Sequence, residues 1–328
     1  MDKVRVLCTG SEGYLGTVLV DKLLANDLVD IIVGVDACFF GENNVDDSGK
    51  YMLVKERVEN MPRGWGYWLD EIKPNIVIAL AAISNDPACE LNPVLTKIVN
   101  HYSVVHLALE CKLRRIPFVF ASSAAVYGSV NYVAGEWSPT YPISLYAEEK
   151  LATERDLFAM ADNCWQPQVF RMGTLFGISK RPRFDLAIPG MLKDALLSRC
   201  ITVFGGEQWR PFLSLDDATN FYSDMVNGYV YQRKIMNLVS FNITINNLAK
   251  CIAEFVKERY NYDVDIVNNT QTLDSRNYQL FGPIFDKVTT MSLFNMLDEM
   301  SKQILELGPD DIGDDKYYTV RALRRMLK

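Results

Sequence analysis

The chain has 328 residues, is 49% hydrophobic and 23% charged, and carries a formal net charge of −7. That length suits one large domain or two modest ones, and the acidic excess argues against a nucleic-acid binder or other general polyanion partner. No apolar run is long enough to span a membrane, and Met1-Asp2-Lys3 opens the chain with nothing like a leader. Seven scattered cysteines lack a C-x-x-C pair, and the two histidines, His101 and His106, do not have i,i+4 spacing. The expectation is therefore a cytoplasmic protein with reduced thiols, no metal and no membrane partner.

In chain order, Val4 to Cys8 reads as a buried strand, followed by a glycine turn and a helical pattern from Tyr14 to Ala25 with Leu15, Val18, Leu19 and Leu23 on one face. Ile31 to Val35 is a second strand ending at Asp36. Residues 37–75 look less regular. Asn75 to Leu80 is a third clear apolar strand with Ala81-Ala82 at its exit. Helical spacing follows from Pro93 to Lys112, then a strand from Pro117 to Ala121 ending at Ser122-Ser123, a helix from Leu145 to Asp162 and a strand from Gln168 to Met172. Near-continuous apolar strands alternating with helices predict an α/β fold, a doubly wound parallel sheet covered on both faces. From about Gly173 prolines and glycines break the pattern. Residues 1–173 are read as a dinucleotide-binding domain, with segments near 212–257 returning to it, and 174–328 as a smaller, irregular substrate lobe.

Two motifs carry chemistry. In Gly10-Ser11-Glu12-Gly13-Tyr14-Leu15-Gly16, Gly10 permits a tight turn, Gly13 lets backbone approach a pyrophosphate, and Gly16 lets the helix pack close to the sheet, while the helix start offers free N–H groups to phosphate. A glycine-rich turn without a ligand is the plain alternative. Asp36, at the end of the second strand, suits the adenosine ribose hydroxyls. It would repel a 2′-phosphate, and no arginine lies between 37 and 41, so NAD is favoured over NADP. The second motif is Tyr146 with Lys150, one turn apart on a helix. An ammonium there is expected to lower the phenol from its usual value of about 10, fitting Tyr146 to act as general base on an alcohol and general acid on a ketone. Ser123, at a strand end, could hold the reacting oxygen.

Gly10 to Gly16, Asp36, Ala81-Ala82, Asn100, Ser122 to Gly128, Tyr146 to Lys150, Arg171 to Gly177, Ile201 to Gly206 and Gln208 to Phe212 together resemble the extended short-chain dehydrogenase/reductase family, especially nucleotide-sugar epimerases of the UDP-glucose 4-epimerase type. The resemblance runs over roughly residues 4–250. It implies a Rossmann-type fold, NAD as cofactor, a nucleoside-diphosphate sugar as substrate and a homodimer. It implies Ser123, Tyr146 and Lys150 as catalytic residues. Gly10, Gly13, Tyr14, Leu15, Gly16, Asp36, Glu56, Arg57, Ala81, Ala82 and Asn100, with Tyr146 and Lys150, would hold the cofactor. Ser84, Ser123, Thr174, Arg210 and Arg276 would contact the substrate; a surface salt bridge explains Arg276 almost as well. Ala124 and Ala125 follow Ser123, where related 4,6-dehydratases and decarboxylases carry acids, which argues against both. The resulting expectation is epimerisation at C4 through a 4-keto sugar, with a 4-dehydrogenase or 4-ketoreductase, or a non-catalytic dinucleotide sensor, as alternatives.

Overall fold

The computed structural model describes residues 3–44, 46–269, 276–283 and 290–327. In chain order the strands are β1 (Val4–Thr9), β2 (Val29–Asp36), β3 (Tyr51–Lys55), β4 (Ile76–Ala79), β5 (Phe118–Ser123), β6 (Ser129–Ala134), β7 (Gln168–Met172), β8 (Thr174–Phe176), β9 (Cys200–Phe204), β10 (Trp209–Ser214), β11 (Ile235–Leu238), β12 (Phe241–Thr244), β13 (Asp265–Asn269) and β14 (Asn277–Leu280). The helices are α1 (Tyr14–Leu24), α2 (Gly64–Ile72), α3 (Asp86–Cys89), α4 (Pro93–Lys97), α5 (Ser103–Arg114), α6 (Leu145–Met160), α7 (Ala187–Ser198), α8 (Leu215–Val226), α9 (Ile245–Tyr260), α10 (Thr290–Ile312) and α11 (Thr319–Met326).

Seven strands form one parallel sheet in the order β11-β7-β5-β4-β1-β2-β3. Its central strand, β4, is apolar and buried along its whole length. Helices cover both faces, with Leu15, Leu19 and Leu23 of α1 packing beside Phe221 and Tyr222 of α8 on one side and Trp65, Leu69, Leu107 and Cys111 on the other. Strand order reverses between β1 and β4, so a crevice opens at their carboxyl ends, where parallel sheets bind ligands. Such stacking of apolar faces, at about 25 cal/mol per Å² removed from water, is the main source of stability here.

A second core gathers Phe176, Ile188, Leu192, Phe212, Leu248, Ile252, Leu297 and Ile304. Of the 212–257 stretch, α8 and β11 return to the large sheet, whereas α9 packs in this second core. The 37–75 stretch, read from sequence as irregular, contains β3 and α2. Its strand is only half buried, and α2 starts behind Arg63 in a left-handed conformation with glycines at 64 and 66, so neither shows a clean period. The helical pattern from 93 to 112 is broken by a π-helical turn, Ile98–Tyr102, between α4 and α5.

Candidate active site

The glycine turn is built by exclusion. Gly10 has φ +76°, and a Cβ there would sit 2.7 Å from the Ala81 nitrogen. A Cβ on Gly16 would collide with the Gly10 carbonyl, so β1, α1 and the end of β4 approach as only glycine allows. Gly13 caps α1 without a side-chain bond, leaving the helix start to face a cavity of about 190 Å³. Gly10, Gly13, Tyr14, Leu15, Gly16, Asp36, Ala81, Ala82 and Ser84 all line that cavity. Asp36 accepts the Glu12 N–H at 3.0 Å and the Cys38 N–H at 2.8 Å; burial raises its carboxyl above the usual range despite both bonds. Tyr14 donates to the Gly177 carbonyl at 2.8 Å, and burial pushes its phenol up.

Glu12, an unremarked position inside the glycine motif, is 2% exposed. It accepts from the Asn44 backbone at 2.9 Å and side chain at 2.7 Å and from the Tyr51 hydroxyl at 2.5 Å, with the Asn43 N–H also on it. It thereby fixes the loop after β2 against the turn.

Four sequence expectations change here. Glu56 and Arg57 do not line the cavity; Val58 and Glu59, just beyond them, do. Arg57 instead lies over the Phe39 ring at 5.3 Å. Asn100 is fully buried and does not face the cavity either. Its amide closes a ring with the Ile83 backbone, donating to the carbonyl and accepting from the N–H, each at 2.8 Å. It holds the β4 exit in place from the π-helical turn, whose Asn100 carbonyl accepts the Thr153 hydroxyl at 3.0 Å. Ser84, expected at the substrate, faces the dinucleotide cavity and accepts from Arg183 at 2.9 Å.

A second cavity, of about 800 Å³, is lined by Ser123, Tyr146, Thr174, Arg210 and Arg276, and meets the first at Met172, Leu175 and Arg183. The Arg210 guanidinium donates to the Trp209 carbonyl at 2.9 Å and to the Arg276 carbonyl, and Arg276 pairs with Asp86 at 3.0 Å. Helix α6 begins at Ser144, whose hydroxyl accepts the Ala147 N–H at 3.3 Å and donates to Asp86 at 2.6 Å. This cap sets Tyr146 over β5. The Ser123 hydroxyl accepts from the Ala125 N–H at 3.2 Å and interacts with the Tyr146 phenol in the sense that favours phenolate. Lys150 lies 2% exposed behind the tyrosine, its Nζ donating to the Ala121 carbonyl at 2.7 Å and standing 5.8 Å from the Tyr146 ring centre.

The expected lowering of Tyr146 by Lys150 is not what the site produces. Burial dominates and pushes the phenol up, with Cys89 and Asp86 adding to it, while the same burial pulls Lys150 down to about 8. Both groups are thus held toward their neutral forms.

Three further motif residues, Ser122, Tyr127 and Arg171, brace the site from within the fold. Glu154 of α6 and Arg171 of β7 form a buried pair at 2.6 Å, joined by the Ser122 hydroxyl and, at 2.9 Å from the Arg171 guanidinium, the Tyr127 hydroxyl. Tyr127 donates onward to Asn237 of β11 at 2.8 Å. This network ties α6, and hence Tyr146 and Lys150, to three strands.

Sequence reading missed Arg181 and Arg183. Both are buried and line the dinucleotide cavity. Their signal was present in Ser179-Lys180-Arg181-Pro182-Arg183, but only the fold carries that segment back to Asp36. Thr319, Leu323 and Met326 of α11 line the same cavity. The dinucleotide fit rests on this donor set and on the Arg181 Nε, which is buried without a hydrogen-bond partner. Among the described residues no cluster could hold a metal ion, and no helix is long and apolar enough to cross a membrane.

Residues 6–238 match the model of the NAD dependent epimerase/dehydratase family. The chain belongs to that family. Its cofactor is therefore NAD, and the α/β expectation holds. The UDP-glucose 4-epimerase of Mycolicibacterium smegmatis is 27% identical over 67% of this chain and 72% of that protein. Among solved structures, the UDP-N-acetylglucosamine 4-epimerase of Methanobrevibacter ruminantium superposes with TM-score 0.81 at 21% identity, covering 94% of this chain and all of that one. The Thermotoga maritima UDP-glucose 4-epimerase, solved with UDP-glucose, gives 0.80 at 21% over 92% of this chain and 99% of that one.

Proposed function

We propose that this protein is an NAD-dependent epimerase of nucleotide sugars, acting at C4 through a transient 4-keto sugar. The observation that carries the reading is the junction of the two cavities, with the Tyr146–Ser123 pair beside it. NAD, held by the glycine turn and Asp36, would supply the acceptance and return of hydride at the sugar carbon. Tyr146 takes the C4 hydroxyl proton as the carbon loses hydride, and gives it back when the ketone is reduced. Ser123 orients that oxygen. Lys150 would hold the cofactor ribose, and its ammonium, 5.8 Å from the Tyr146 ring centre, opposes without overcoming the burial that favours the neutral phenol. Arg210 and Arg276 would hold the diphosphate, Thr174 lines the same cavity as they and the tyrosine do, and the relatives' substrates make uridine the base to test first.

Ala124 and Ala125 are both buried and carry no proton-transfer group, which favours epimerisation over dehydration or decarboxylation. A homodimer through α5 and α6 belongs to the same reading, supported by Leu109 and Leu113, which α5 leaves 42% and 69% exposed; light scattering at micromolar concentration tests it. Seven free thiols support a cytoplasmic setting. The test of the activity is incubation with UDP-, GDP-, CDP- and dTDP-sugars, products read by NMR while absorbance follows NADH. A C4 epimer with no NADH accumulation is expected; stoichiometric NADH would make the enzyme a 4-dehydrogenase instead.

A further inference from the structure

Two arginines flank the dinucleotide cavity, and they differ in one respect. Arg183 is satisfied: it grips Asp185 with two bonds, at 3.1 and 2.8 Å, and donates to Ser84. Arg181 is not. It is 3% exposed, its guanidinium carbon lies 3.7 Å from the Phe40 ring centre, and Nη2 donates to the Thr319 hydroxyl at 3.3 Å. Its Nε is buried with no partner. Burial and repulsion from Arg183 pull this arginine down to about 9. A buried cation with an open donor is costly unless an anion completes it, and a guanidinium fork matches phosphate oxygens best.

We propose that Arg181 binds the bridging pyrophosphate of NAD, and that the C-terminal helix holds it in position through Thr319. The inference uses the cofactor and is independent of which sugar is turned over. Asp36 lies close enough to Arg181 for the two charges to attract, and its carboxylate would repel a further phosphate on the ribose. A pyrophosphate held by Arg181 would by contrast also face the start of α1, since Gly13, Tyr14 and Arg181 line one cavity. Leu323 and Met326 continue the wall of the same cavity from α11, so a segment more than three hundred residues from the glycine turn completes the cofactor site.

The test is titration calorimetry on cofactor-stripped protein with NAD, ADP-ribose, NADP and adenosine. Losing one charge-assisted contact should weaken NAD and ADP-ribose by roughly tenfold to a hundredfold in Arg181→Gln. Adenosine binding should stay within about twofold, since it has no phosphate. Thr319→Val should weaken NAD several-fold and leave adenosine alone. Should Arg181→Gln fail to fold by circular dichroism, Arg181→Lys and Thr319→Val carry the same comparison. Unchanged NAD affinity in the variants overturns the proposal. So does an equal loss for adenosine, which would mean a purely structural role, or a loss confined to NADP, which would make Arg181 a reader of the 2′-phosphate. Failure of the unaltered protein to bind NAD would instead indict the cofactor assignment.

Discussion

Lys150 should make the cofactor-free protein less stable than a neutral side chain would. The drop from 10.5 to about 8 corresponds to a folding penalty of about 3 kcal/mol for keeping the ammonium charged in its buried position. Because the folded value is the lower one, the unfolded chain holds more protons on this lysine between pH 8 and 10.5. The penalty is therefore complete below pH 8 and fades as pH rises through that window. Lys150→Met keeps the apolar stem but abandons the bond to the Ala121 carbonyl, a loss of about 1 kcal/mol. The variant should gain about 2 kcal/mol at pH 7 and lose the advantage by about pH 10, while its turnover collapses. Urea unfolding of both cofactor-stripped proteins at the two pH values, read as the difference between them, measures this. A variant no more stable than the parent at pH 7, with an unchanged pH dependence, would refute the claim that burial of this ammonium is opposed by the fold and retained for chemistry.

Other substitutions separate the parts of the site. Tyr146→Phe should lower kcat by about 10²- to 10⁴-fold with NAD content unchanged, assayed by turnover and by absorbance of the released cofactor. Gly10→Ala should cost about 1–3 kcal/mol from the positive φ alone, and more from the approach to Ala81; reduced melting temperature together with lost NAD binding is the readout. Arg171→Met leaves Glu154 as an uncompensated buried charge and should destabilise by about 3–5 kcal/mol, seen as a shifted denaturation midpoint.

What the sequence disclosed follows from which physics is local. The β1–turn–α1 unit was legible because periodicity, glycine spacing and a strand-end aspartate all fall within 33 residues, Val4 to Asp36. The pair Tyr146 and Lys150 was legible because one helical turn sets their relation. The chemistry of that pair was not. The lysine's effect was read from proximity, but burial of both groups, set by α6 packing on β5, outweighs it. Asn100 and Tyr127 belong to recognisable motifs yet act on backbone and neighbouring side chains, a distinction that only their partners reveal. Arg181 lay beyond sequence reasoning because its meaning depends on Asp36, Phe40 and Thr319, which the chain brings to it from two distant segments. The absence of arginine between 37 and 41 was read correctly as a local fact, but the fold supplies a cation there from elsewhere.

The central claim is that one hydrogen leaves C4 of a nucleotide sugar and returns to the same carbon from the opposite side. UDP-glucose deuterated at C4, or another UDP-sugar that the panel identifies, tests this directly by NMR and mass spectrometry of the product in ordinary water. The account requires the C4 epimer to form with its deuterium retained at C4 and no net change in NADH. Deuterium lost to solvent, or inversion at a different carbon, would contradict it.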